Sequence, residues 1–129
     1  MIWPKDSHMA SLDPNSPTYQ RGVELLNHGE FFEAHEVLED LWRATSEPDR
    51  KFLQGLIQVA VAFHHRSCGN LVGFRSVLAR ACRNLSTYPN VYQQVDLAAL
   101  LSSLEEWRAV GGGEASKPLQ LPAVKFQKS

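Results

Sequence analysis

The 129-residue chain has 43% hydrophobic and 21% charged residues and a formal net charge of −1, the balance of one globular domain that can bury a core without disulfides or structural metal. Near-neutral charge argues against nucleic acid or anionic lipid as partner, and two cysteines, Cys68 and Cys82, are too few for a disulfide framework. The longest near-continuous apolar run, 55–63, is far too short to span a bilayer, and the N-terminus lacks a secretory pattern, so the expected compartment is the cytoplasm, with no membrane contact.

Residues 1–15, with Pro4, Asp13, Pro14 and Asn15 and no periodicity, read as a flexible N-terminal arm. Residues 7–11 read as native sequence or a cloning-vector scar, so His8 carries no functional weight. Ser16-Pro17 then offers an N-cap and a first-turn proline, and Tyr19, Gly22, Val23 and Leu26 recur at helical spacing up to Gly29. This predicts helix one over 17–28. Helix two follows at 30–44 after almost no loop, which forces a tight helical hairpin.

Ser46-Glu47-Pro48-Asp49 resembles a capping box and starts helix three near 47, ending at Cys68-Gly69. Asn70 caps helix four, which runs to Ser86 before the breaker Tyr88-Pro89-Asn90. Asp96 caps helix five, 96–110, with Leu97, Leu100, Leu101, Leu104 and Trp107 on one face and three glycines, 111–113, to stop it. The domain is therefore 16–110, and the tail 111–129 reads as an extended strap or a mobile end. No strand-like alternation of useful length appears. The fold class is all-α.

Helix three is apolar on most of its circumference, which belongs at the centre of a bundle. Its exception is a narrow polar line, Gln54, Gln58 and His65, with His64 about 100° away beside Ile57 and Cys68. On helix two, Phe31, Ala34, Leu38, Leu41 and Trp42 form the apolar arc, with His35 at its edge and Glu39, Arg43 and Glu36 leading toward the polar side. Glu33 and Asp40 point away. A pocket between helices two and three is expected, built from His35, Glu36, Glu39, Trp42, Gln54, Gln58, His65 and His64.

Three chemistries fit these residue types. His35, Glu39 and His65 can hold a divalent metal, since imidazole and carboxylate on adjacent helices suit zinc, iron or manganese. The spacing from His35 to Glu39 lacks the second histidine of a zincin and the paired Glu-x-x-His of di-iron bundles. A buried glutamate beside His35 or His65 can instead move a proton on a small substrate. The third reading is a satisfied polar network that only fixes helix packing, making the domain a non-enzymatic scaffold or protein-interaction module. Arg75, Arg80 and Arg83 read as a solvated face, Tyr19 and Trp107 as core, and both cysteines as buried free thiols. A homo-oligomer is compatible with all of this.

The run Tyr19, Gly22-Val23, Leu25-Leu26, Gly29, Phe31 through Glu39, and Trp42-Arg43 resembles the bacterial, archaeal and plastid proteins grouped as domain of unknown function 309. So do Phe52 through Gln58, Ala60, His64-His65 and Gly69-Asn70, the likeness covering about 17–86. The resemblance implies an irregular five-helix bundle, no established reaction, and shared polar positions at His35, Glu36, Glu39, Gln54, Gln58 and His64 or His65.

Overall fold

A computed structural model describes residues 10–111 and 122–126. Five helices carry the fold: α1 (Pro17–Asn27), α2 (Phe31–Arg43), α3 (Asp49–Ser67), α4 (Leu71–Leu85) and α5 (Leu97–Val110). The all-α expectation holds. Three of its local signals are seen directly: the side chains of Ser16, Asn70 and Asp96 accept from the amides of Tyr19, Gly73 and Ala99. The stops are real too, since Gly29, Gly69 and Gly111 take φ values of 75°, 80° and 64°, where a side chain would be strained.

One expected cap fails. Pro48, not Ser46, precedes α3 with no side-chain cap bond, and Asp49 turns its carboxylate inward instead. Its Oδ2 accepts from Leu12 N at 2.9 Å, and its Oδ1 from Tyr92 Oη at 2.6 Å and Gln93 Nε2 at 2.8 Å. Three bonds to a carboxylate with 5% exposure offset its desolvation. The first of them also ties down Leu12, in the arm expected as flexible, where Ala10 pairs with Thr45 and Leu12 is buried. Residues 1–9 of that arm lie outside the described residues.

The same carboxylate anchors a feature too short for periodicity to show. Val91–Tyr92 (β1) and Val95–Asp96 (β2) form an antiparallel hairpin, Val91 opposite Asp96 and Tyr92 opposite Val95. Two-residue strands cannot display an alternation. Val124 and Phe126 of the tail continue the arrangement, Phe126 pairing with Val95 while Asn27 bonds both the amide and the carbonyl of Val124.

α3 is central as its composition demands. Phe52, Leu53, Leu56, Val59, Ala60, Ala62 and Phe63 are buried, with α2 on one side and α4 on the other. α1 packs on α2, and α5 on α4. Phe63, Phe74 and Trp107 meet edge-on at centroid distances of 5.2–6.2 Å, joining α3, α4 and α5. No helix among the described residues is long and apolar enough to cross a membrane.

Candidate functional site between α2 and α3

The polar line of α3 does not face α2. Asn84 Nδ2 of α4 donates to Gln58 Oε1 at 2.7 Å, and His65 Nδ1 lies 3.3 Å from Asn70 Nδ2 at the start of α4. Gln54 is exposed. The reason sits one residue along the line. Gly55 has no side chain, and a Cβ there would lie 2.6 Å from Leu85 Cδ2, so α4 approaches α3 on this side. Periodicity could not say which helix Gln58 and His65 would meet; a glycine inside a helix was the available cue.

The face about 100° away, which holds His64, therefore meets α2. Phe32, His35, Val61 and His64 line a groove of about 200 Å³. The Phe32 ring is 6.2 Å from the His35 ring and 5.6 Å from the His64 ring, and it is 55% exposed. The i,i+3 spacing of Phe32 and His35 on α2 and of Val61 and His64 on α3 puts each pair on one face.

His35 Nε2 donates to Glu39 Oε2 at 3.1 Å, and Arg43 Nη2 donates to Glu39 Oε1 at 2.7 Å. Since a carboxylate only accepts, this bond places the imidazole proton on Nε2 and leaves Nδ1 of neutral His35 as an acceptor. Arg43 also holds Asp40 at 2.8 Å. Glu39 is thus pinned from one side and orients His35 from the other. His64 Nε2 lies 3.8 Å from Cys68 Sγ, and Cys68 is exposed, contrary to its expected burial. Cys82 is buried, and burial pushes its thiol pKa up.

The remaining candidates stand apart. Glu36 is exposed, and Trp42 is half-buried under the Arg50 guanidinium, 3.9 Å from its ring centroid. The expected metal set of His35, Glu39 and His65 is not brought together, because His65 serves α4. Among the described residues no group of three or more His, Cys, Asp or Glu is placed to hold a metal ion. The sequence reading missed the Asp49 cluster, whose partners Tyr92 and Gln93 are 43 and 44 residues away. No local pattern could have indicated it.

Residues 19–77 match the family model described as Domain of unknown function (DUF309). An uncharacterized protein of Aquifex aeolicus (strain VF5) is 31% identical over 96 residues, which is 74% of this chain and 28% of that protein. The uncharacterized protein YpuF of Bacillus subtilis (strain 168) is 32% identical over 76 residues, 58% of this chain and 44% of that one. The chain spans less than half the length of either relative. The matched segment contains every residue of the groove.

Proposed function

With residues 19–77 matching the DUF309 family model, we propose that the domain binds a small ligand in the α2/α3 groove, a single apolar or aromatic ring carrying one hydrogen-bond donor. The observation that supports it is His35 held by Glu39 at 3.1 Å on the wall of a groove otherwise lined by Phe32, Val61 and His64. About 200 Å³ is room for one ring, since a cavity of roughly 150 Å³ takes benzene. Phe32, Val61 and the imidazole faces contact the ring, and His35 Nδ1 accepts from its donor. The site has one oriented base and no activated nucleophile, so the reading is binding first.

Titration of the labelled chain with phenol, followed by amide chemical shifts, tests this. Shifts should concentrate at Phe32, His35, Val61 and His64, and His35→Ala should weaken binding about 5–10-fold, the worth of one hydrogen bond. Shifts spread over the surface, or none, would overturn it.

A scaffold reading has its own support in Gln58 and His65, whose bonds to Asn84 and Asn70 tie α3 to α4 rather than face α2. In that reading the domain presents the exposed Phe32 to a protein partner, and phenol has no preferred seat.

A further inference from the structure

A second cleft, of about 570 Å³, opens where α1, the hairpin turn and residues 122–126 meet. It shares no residue with the α2/α3 groove. Its volume lies within the roughly 300–1,000 Å³ of small-molecule sites, and carboxamides dominate its described lining. Asn15, Gln20, Asn27 and Gln94 bring carboxamides, Glu24 the one charge among the described residues, Val23 an aliphatic side chain, and Phe126 an aromatic ring that is 40% exposed.

Some of these groups are occupied in holding the wall. Asn27 spends its amide on Val124, which fixes the segment carrying Phe126, and Gln20 Nε2 donates to Pro14 O at 3.2 Å. The side chains of Asn15, Glu24 and Gln94 form no hydrogen bond among the described residues.

The turn itself is the second observation. Gln93 and Gln94 have φ values of 48° and 61°, a conformation that glycine or asparagine adopts far more readily. Gln93 has a local reason: its carboxamide bonds Asp49 and its carbonyl accepts from Tyr19. Gln94 owes its positive φ to the two-residue turn, which needs it at both central positions, but its carboxamide forms no hydrogen bond among the described residues and stands at the cleft wall.

We infer that this cleft binds a neutral, hydroxyl-rich ring: a sugar ring, free or as part of a nucleoside. A carboxamide offers donor and acceptor together, which matches hydroxyls that do the same. The Phe126 face, negative at its centre, suits the C–H face of such a ring. Among the described residues no cation lines the cleft, so phosphates and carboxylates find no counter-charge there, and Glu24 repels them.

Titration of the full chain with glucose and, separately, adenosine, followed by amide shifts at Gln20, Glu24 and Gln94, tests the assignment. Response to both identifies the sugar ring as the recognised part. Response to one alone identifies its source, free sugar or nucleoside. Gln94→Gly should raise the melting temperature by about 4 °C through relief of the turn and weaken binding about 10-fold; Phe126→Ala should also weaken binding. Silence with both probes, preference for benzylamine over both, or unchanged affinity in Gln94→Gly and Phe126→Ala overturns it. Phenol at the α2/α3 groove is indifferent to both variants, so the two sites fail or stand separately.

Discussion

Asn84 donates to Gln58 across the α3–α4 seam at 2.7 Å, and this bond decides what the polar line of α3 is for. It is a tie between two helices. Removing either partner leaves a half-buried amide unsatisfied, so Asn84→Ala should cost about 1 kcal/mol, seen as a melting temperature lower by about 4 °C. In a double-mutant cycle, Gln58→Ala and Asn84→Ala should be non-additive by a similar amount. Additive losses in thermal melts would show that the bond contributes nothing.

Asp49→Ala should be more damaging. It strips the acceptor from Leu12 N, Tyr92 Oη and Gln93 Nε2 together and unfastens both the arm and the hairpin. A loss of about 3 kcal/mol is expected, with hydrogen exchange at Leu12 and Val95 accelerated more than in α3. Equal acceleration everywhere would mean only global destabilisation.

Alkaline pH should find the same region. Burial first, and then the nearby Asp49 charge, push the Tyr19 hydroxyl pKa well above its ordinary value of 10. Burial and the Asp49 hydrogen bond push Tyr92 up likewise. A hydroxyl that holds its proton more tightly when folded contributes stability that is fully present below the unfolded pKa. That stability is lost as pH rises past 10 toward the folded pKa. For Tyr19 alone the slope approaches about 1.4 kcal/mol per pH unit. Denaturant midpoints between pH 9 and 11 should fall in the native chain and fall less steeply in Tyr19→Phe.

Gly55→Ala places a methyl group 2.6 Å from Leu85 Cδ2. Although alanine is the better helix former by about 1 kcal/mol, the overlap should outweigh this and leave a net loss of about 1–2 kcal/mol. Leu85→Ala in the same chain should relieve the overlap, a coupling that calorimetry can read.

His35→Ala separates binding from packing. Its partnership with Glu39 is an i,i+4 pair on a half-exposed face, worth about 0.3–0.5 kcal/mol. The melting temperature should therefore move by no more than about 2 °C, while the phenol response at Phe32 and His64 needs about 5–10-fold more ligand. A drop of many degrees would assign His35 to the core instead.

How far the sequence carried follows from what each signal depends on. The helices, their Ser16, Asn70 and Asp96 caps and their glycine stops at 29, 69 and 111 were legible because capping and 3.6-residue periodicity are local, decided within one turn of chain. The central place of α3 was legible because an apolar circumference has only one stable location. The pairing of His35 with Glu39 was legible as an i,i+4 relation. What only the tertiary structure decided is everything that joins distant segments. Gln58 and His65 turned to α4 and His64 to α2, because Gly55 set which neighbour came close. Asp49 left its expected cap for partners 37 to 44 residues away, since three charge-assisted bonds outweigh one. A helical wheel fixes angles about one axis; the position of the next axis depends on packing volume and on the pairing of buried charge, and neither is written in one helix.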